Sequence, residues 1–402
     1  MFRIEMLPAA HGDCLWIEYG RGPQARRILI DGGPAHTYPA LRERILHLPT
    51  DQRRFELLVV THIDGDHIEG IVRLLQDAPA LQCRFERIWF NGPAQLNRIR
   101  DPAGAPLGAI QGEYLSLLIG DYEAQQGRSL WNTDFEAGVA VVDRKADRLP
   151  TVDLDGDCRL TLLSPDHERL LELKDCWGDE LRKARIQSGD ERVLRAKLDA
   201  NRQLKPLGDE LGAADEDVDD RFELPDPEDR DLGGGPDDTL GGSGEEPGGD
   251  APFGSDASKA NGSSIAVLLE YPKEDPQVRL LLAGDAWPAV LETSIERLLP
   301  RPGATVALTG FKLPHHGSVG NLTESLLAKL RCRHYLVSTS GAVFRHPHAR
   351  AVGLLLSAHR SGGKPRLQFN YLTRTTQPWS DLVERDTRAY EARYPKGISL
   401  EL

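Results

Sequence analysis

The sequence predicts an α/β fold built in two β-rich halves around an insertion. Three observations carry this reading. Short apolar runs alternate with helically spaced segments over residues 1–90. The same rhythm returns after residue 261. Between them lies a stretch too acidic and too rich in Gly and Pro to bury a core of its own. The boundaries fall at 1–165 for the first half, 166–260 for the insertion and 261–402 for the second half.

Taken in order, FRIEML and CLWIEYG read as strands, and RRILIDGG as a strand ending in a glycine turn. TYPALRERILHL has helical spacing. FELLVV is a short continuous apolar run, as expected of a strand buried on both faces. IEGIVRLLQDA places apolar residues at 68, 71, 72, 74 and 75 and reads as a helix packed back on the sheet. RFERIWFNG is a further strand. Residues 91–150 show no clear period. CRLTLLSP returns to strand character, followed by the charged helices HERLLELKDCWGDELRKARIQ and ERVLRAKLDANRQL. In the second half NGSSIAVLLEY, RLLLAGD, ATVALTGFKLPHHGS and HYLVSTSG read as strands. LETSIERLL, ESLLAKLRC and ARAVGLLLSAHRSG read as helices, and GISLEL as a closing strand.

A chain of 402 residues with 40% hydrophobic side chains has enough material for a core of ordinary size. No apolar run approaches the roughly eighteen residues of a membrane span. MFRIEMLPAAHGD reads as a first strand and not as a signal peptide, so no membrane association is expected. The five cysteines, Cys14, Cys83, Cys158, Cys176 and Cys332, are odd in number and form no CxxC. That excludes a disulfide framework and fits a reducing cytoplasm. The formal charge of −13 argues at first against a polyanionic partner. Residues 209–258, however, carry 18 acidic against two basic side chains, a net of −16, which leaves +3 on the remainder. The acidic segment has two open readings, a solvated disordered linker and an autoinhibitory mimic of a polyanion.

The chemistry begins at THIDGDHIEG, directly after the run LLVV. His62, Asp64, Asp66 and His67 fall within six positions, and neither strand nor helix needs them there. Imidazole nitrogens and carboxylate oxygens suit a divalent metal. The competing reading is a capped, hydrogen-bonded turn. LLLAGD puts Asp285 at the end of another apolar strand, and FKLPHHGS puts His315 and His316 at the end of a third. Alone, the first is a turn residue or cap and the second a polar loop. Three such signals at strand ends, far apart in the chain, are how an enzyme builds a rigid site on a sheet.

HxDxDH, a strand ending in GD and a strand ending in PHHGS together resemble the metallo-β-lactamase fold. They most resemble the domain of that fold in bacterial DNA-uptake competence proteins and their stand-alone relatives. ILIDGG, VVTHIDGDHIEG, LLLAGD, FKLPHHGSVGN and the late STSG…RHPH carry the resemblance, over roughly 1–90 and 258–350. It implies an αββα sandwich, with two facing mixed β-sheets, helices outside and the site at one edge. It implies two divalent ions, Zn²⁺ or Mn²⁺, with Mg²⁺ as second choice. His62 and Asp64 would bind the first ion, Asp66 and His67 the second, and Asp285 would bridge them. His316 would complete the second set. His315 would contact substrate phosphate or support the site from behind, unless the two histidines trade places.

Two positions depart from the family pattern. Asp64 stands where a His is usual, which hardens the site toward Mn²⁺ or Mg²⁺. Asn261 stands where a third-motif His is usual, so it is a weak ligand or leaves the first ion loosely held. Water activated between the ions would be the nucleophile, oriented by Asp64 or Asp66. His346 and His348 of RHPH are candidates for a phosphate contact or a proton donor, and Ser318 and Asn321 for holding phosphate with backbone N–H groups. Asp31 would orient the histidines from behind. Asp13 is open between a contact to the metal loop and a turn residue. Trp89 is open between core packing and stacking on a base.

The expected function is a phosphodiesterase or nuclease acting on nucleic acid or nucleotides. The alternatives are hydrolysis of another ester or amide of lactone type, and a catalytically degenerate regulatory protein. The relatives' setting in bacterial defence or mobile regions implies a protein partner in such a system.

Overall fold

A computed structural model describes residues 1–20, 25–99, 110–184, 191–200, 251–359, 363–394 and 398–401. Residues 209–250 of the acidic segment lie outside the described residues. The fold is mixed α/β, with two large mixed sheets.

The first sheet grows from local hairpins. β1 (Phe2–Met6), β2 (Leu15–Tyr19) and β3 (Arg26–Ile30) pair antiparallel in sequence order. β5 (Leu57–Val59) then adds parallel to β3, and β7 (Ile88–Trp89) parallel to β5. A parallel neighbour needs a crossover. α1 (Tyr38–Leu46) lies between β3 and β5, and α2 (Gly65–Leu81) between β5 and β7. The far edge is closed by the chain's last strand, β16 (Ile398–Glu401), antiparallel to β1. A two-residue pair, β4 (Arg54–Phe55) and β6 (Arg84–Phe85), stands apart.

The second sheet has eight strands. β8 (Thr151–Leu154), β9 (Cys158–Ser164), β10 (Ala266–Tyr271) and β11 (Val278–Leu282) are antiparallel neighbours. β12 (Val306–Lys312), β13 (Leu330–Val337), β14 (Arg366–Phe369) and β15 (Glu391–Arg393) continue it in parallel. β8 and β9 therefore come from the first half of the chain, and β16 of the other sheet from the second. The halves interlock and do not each own a sheet.

Alternation along the first sheet sorts its side chains by face. Ile4, Met6, Ile17, Ile28, Ile30 and Val59 enter one core with Leu160, Leu162, Leu280, Leu282 and Phe311 of the second sheet. The rings of Phe2 and Tyr19 meet Tyr271 at 5.7 and 5.8 Å between centroids, so the two sheets face one another. Trp16, Leu29, Leu58 and Val60 point the other way, to Leu41, Ile68, Ile71 and Leu115 beneath the helices. Each such side chain contributes about 1.5–3 kcal/mol when fully buried. On the second sheet, α8 (Pro288–Glu296), α9 (Glu324–Ala328) and α10 (Ala349–Ala358) add Leu291, Ile295, Leu326, Val352 and Leu355 to the first core.

The glycines of ILIDGG set α2 against the sheet. A Cβ on Gly70 would stand 2.0 Å from the Gly32 carbonyl oxygen, so the helix reaches this depth only with glycine there. That depth places His67 over the end of β3.

The structure extends and corrects the sequence reading in four places. Residues 91–150 hold α3 (Pro93–Arg98) and α4 (Ile110–Gln126). The ESLLAKLRC helix stops at Ala328, because Leu330 to Cys332 already belong to β13. Strands β14 and β15 and α11 (Leu382–Thr387) had no sequence signal of their own. Residues 251–258, read as part of a solvated insertion, pack on the core: Gly254 N–H donates to Val319 O at 3.0 Å and Asp256 N–H to Gly320 O at 3.2 Å. α5 (His167–Ala184) and α6 (Glu191–Ala200) match the charged helices expected before it.

Candidate metal centre

The site forms where strand ends of both sheets converge. β3 delivers Asp31, β5 runs into Thr61–Asp64, β11 into Asp285, and β12 into Lys312, His315 and His316. The opening of a crevice at the carboxyl ends of parallel strands is a general property of α/β sheets.

Four imidazoles share one orientation. His67 Nδ1 donates to Asp31 Oδ2 at 2.8 Å, since a carboxylate only accepts. Thr61 Oγ1 gives its proton to the same carboxylate at 2.7 Å, so it accepts from His62 Nδ1 at 3.0 Å. His316 Nδ1 donates to the Ser338 carbonyl at 2.8 Å, and His315 Nδ1 to Asn321 Oδ1 at 2.8 Å. With Nδ1 carrying the proton, each ring presents its Nε2 lone pair forward.

All four Nε2 atoms then face one oxygen. Asp285 Oδ2 lies 4.0 Å from His62 Nε2, 3.4 Å from His67, 3.8 Å from His315 and 3.6 Å from His316. Asp64 Oδ2 is 3.4 Å from His62 Nε2, and Asp66 Oδ2 is 3.7 and 3.5 Å from His67 and His316. Ligands bound at about 2.0–2.1 Å in a tetrahedron stand about 3.3 Å apart, so the shorter of these separations suit ligands of a shared ion. Nε2 of His62, His67 and His316, with Asp64 Oδ1 and Asp285 Oδ1, are buried and lack a hydrogen-bond partner. Buried polar atoms without partners are costly, and a cation here would satisfy them together. His62, His67 and Asp285 form one group that could hold a metal ion, and Asp66, His67 and His316 a second.

The capped-turn reading of THIDGDHIEG does not survive this geometry. Asp64 is the N-cap residue of α2, yet its side chain makes no capping hydrogen bond. Asp66, in the first turn, is favoured there by the helix dipole as well.

The electrostatics describe a site primed for positive charge. Burial alone pushes the Asp285 carboxyl up, but His67, His316 and His315 outweigh it and hold it well below the usual range. Asp66 is likewise held far down against its burial, first by His67. Burial opposes a charge on His67, yet Asp285, Asp66 and Asp31 raise it well above an ordinary histidine. Burial works against a charge on His316 too, and Asp285 and Asp13 prevail. A proton or a metal ion at the Nε2 atoms therefore answers the same demand.

Several residues take places that the sequence reading left open or did not foresee. His315 points its Nε2 at Asp285 as His316 does, so both members of the pair face the same oxygen. Asn261 lies at the back of His315: its Nδ2 is 3.3 Å from His315 Nδ1 and donates to Asp256 Oδ2 at 3.0 Å, and its Oδ1 is buried without a partner. Ser318 and Asn321, expected to hold phosphate with backbone N–H groups, are buried, and those N–H groups donate to His315 O at 2.8 Å and Ser318 O at 3.4 Å. Ser318 Oγ accepts from Gly320 N–H, and Asn321 Nδ2 donates to Asp256 and to the Asp285 carbonyl. His348 is occupied too, with Nδ1 accepting from Val319 N–H at 3.1 Å. His346 is buried, its ring 5.1 Å from that of His315, with Nε2 unpartnered. Burial, then His315 and His348, hold its pKa well below the ordinary value. Trp89 is core: its Nε1 donates to Asp134 at 2.8 Å and its ring packs on Phe135.

Asp13 and Lys312 form a buried ion pair beneath the site, with Lys312 Nζ 4.0 Å from Asp285 Oδ1. Burial raises the Asp13 carboxyl, but Lys312 and His316 bring it to about 2. Lys312 was missed in the sequence, although a lysine at the buried end of an apolar strand is itself a signal. Asp256 was missed because it sits at the end of an acidic run. Gly12 brings the Asp13 turn close, as a Cβ there would fall 1.8 Å from Asp66 O.

Cys14, Cys83, Cys158 and Cys332 are buried free thiols. Among the described residues no helix is long and apolar enough to cross a membrane.

No known protein-family model matches the sequence, and no curated protein does. Among solved structures, the Cronobacter sakazakii metallo-β-lactamase HARLDQ motif mutant S60 is similar over 39% of this chain, at 16% identity and a TM-score of 0.19. The match spans 46% of that protein's length, a likeness too slight to bear on the chemistry.

Proposed function

We propose that the chain is a metal-dependent hydrolase of metallo-β-lactamase type, acting on phosphodiesters in nucleic acid or nucleotides. The observation that carries the hydrolase reading is the approach of four histidine Nε2 atoms to Asp285 Oδ2, with every Nδ1 held from behind. His62, Asp64, His315 and Asp285 would hold one divalent ion, and Asp66, His67, His316 and Asp285 the other. When bound, such ions supply Lewis acidity toward a phosphoryl oxygen and acidify water. The residues do the rest. Asp64 and Asp66 are the members that keep some exposure and mark the mouth of the site. Asp64 Oδ1, a buried acceptor without partner, orients the attacking water and takes its proton. His346 donates its N–H to a non-bridging phosphate oxygen. The phosphodiester preference is supported by the near-neutral balance outside the acidic segment and by the PHHGS motif.

Elemental analysis of protein purified without chelator, beside the Asp66→Ala/His67→Ala variant, tests the reading. About two equivalents of Zn or Mn in the first and a loss in the second are expected. Hydrolysis of bis(p-nitrophenyl) phosphate or of DNA should follow the metal. Turnover of lactones without phosphodiesters would move the substrate class and leave the centre standing. Absence of metal from both proteins after reconstitution would overturn the reading.

A further inference from the structure

The His315 ring is held by a set of polar side chains that the metal-centre motifs do not include. Asp256 is buried at its centre. Its Oδ2 accepts from Asn321 Nδ2 at 2.7 Å and from Asn261 Nδ2 at 3.0 Å, and stands 3.6 Å from His315 Nδ1. Its Oδ1 accepts from Ser258 N–H at 2.8 Å. The backbone on either side is pinned to the loop that follows the histidines, through Gly254 to Val319 and Asp256 to Gly320.

A carboxylate only accepts, so Asn321 must turn its NH₂ to Asp256 and its carbonyl oxygen to His315. A second donor bond from Asn321 Nδ2, to the Asp285 backbone carbonyl at 2.9 Å, fixes the same orientation. His315 Nδ1 stands 2.8 Å from the Asn321 amide oxygen and 3.3 Å from Asn261 Nδ2; the shorter contact, to the acceptor, puts the proton on Nδ1 and leaves the Nε2 lone pair toward Asp285. Asn261 is turned the same way, and for that reason its Oδ1 is left without a partner. The Asp256 carboxyl is suited to the part: burial raises it, but the hydrogen bond and charge of His315 bring it below the usual range.

We propose that Asp256, the last acidic residue of the insertion, is the positioning carboxylate of His315. Through Asn321 it fixes the tautomer of that histidine, so the end of the insertion completes the metal centre. This rests on the metal-dependent reading above. His67 has the same device in Asp31, with direct contact, whereas Asp256 acts across an amide.

The test is chelator competition for Zn²⁺ and the visible spectrum of the Co²⁺-loaded full chain, for the wild type and Asp256→Asn. Asparagine removes one of the two acceptors that hold the Asn321 amide and frees the Asn261 amide to reverse. One of two ions should bind about 10–100-fold more weakly, with a changed Co²⁺ spectrum. Two ions held by both proteins with equal affinity, whatever the melting temperature of the metal-free variant, would overturn the role of Asp256 and leave the hydrolase reading intact. Absence of metal from the wild type would overturn both. Because the variant can fail to fold, the wild type supplies a second readout. Nitrogen-15 histidine spectra of the Zn-loaded chain should place the His315 proton on Nδ1, and a proton on Nε2 would overturn the proposal.

Discussion

The turn at residues 61–67 and the turn at residues 313–318 each supply two histidines to the same carboxylate, by different means. In the first, Asp64 is in ordinary extended backbone and α2 starts on Gly65. The orienting groups, Asp31 and Thr61, follow the ends of the two adjacent parallel strands β3 and β5. In the second, His315 and His316 both take left-handed backbone, with φ of 46° and 53°. For a non-glycine residue this costs roughly 1–2 kcal/mol each. The strain persists because partners from three other segments hold the rings: Asn321 with Asp256, Ser338, and Asp13 with Lys312. The first turn is a local unit of one sheet. The second is held in shape by tertiary contacts, and it is where long-range substitutions should be felt.

The largest expected effect erases the difference between the two. Asp285→Ala removes the oxygen that both turns address, so both ions should be lost and hydrolysis should fall by about 4 kcal/mol of barrier, roughly a thousandfold or more. Elemental analysis and the phosphodiester assay read this, while circular dichroism should show the fold kept. Loss of fold together with metal would mean that the carboxylate is structural.

Next comes a change to the local turn alone. Gly70→Ala drives a Cβ into the Gly32 carbonyl and should lift α2, costing about 1–3 kcal/mol and several degrees in thermal unfolding. Since α2 carries Asp66 and His67, metal affinity should fall with stability. An unchanged melting temperature would show that the helix yields easily.

Asp31→Asn sharpens the comparison at one histidine. It should weaken metal binding about 10–100-fold, read by chelator competition, with little change in the backbone of the turn. If it costs no more than an exposed substitution, the His67 orientation is set by packing instead.

The smallest effect is one of pH. His334 lies on β13 away from the site, against Gln368 at 3.2 Å. Burial, then Arg366 and Arg333, lower it from 6.5 to about 4. Between those values the unfolded chain binds a proton that the folded chain does not. Its contribution is therefore whole above pH 6.5 and is lost as pH falls toward 4. His67 runs the other way in the metal-free protein: raised by Asp285 and its neighbours against burial, its contribution is whole below pH 6.5 and is lost as pH rises through the folded value. His334→Gln should flatten the acid limb of stability measured by urea unfolding and leave metal content unchanged. An acid limb as steep as in the wild type would assign it to other groups.

Much of this was legible in the residues. LLVV, LLLAG and FKLP announce buried strands by apolar content alone, and polar residues placed immediately after them have no structural reason to be there. Hence His62, Asp64, Asp66, His67, Asp285, His315 and His316 stood out without coordinates. By itself, then, the sequence determined which strands are buried and which side chains cap their ends, because burial and periodicity are written locally. Only the tertiary structure decided that β8 and β9 cross to the second sheet and β16 returns to the first. It also decided that both histidines of the PHHGS turn face one oxygen, and that Asp256, Asn321, Asp13 and Lys312 stand behind them. The physical reason is that a hydrogen-bond partner is chosen by distance in space. A carboxylate at the end of an acidic run looks in sequence like every other carboxylate until the fold removes water from around it.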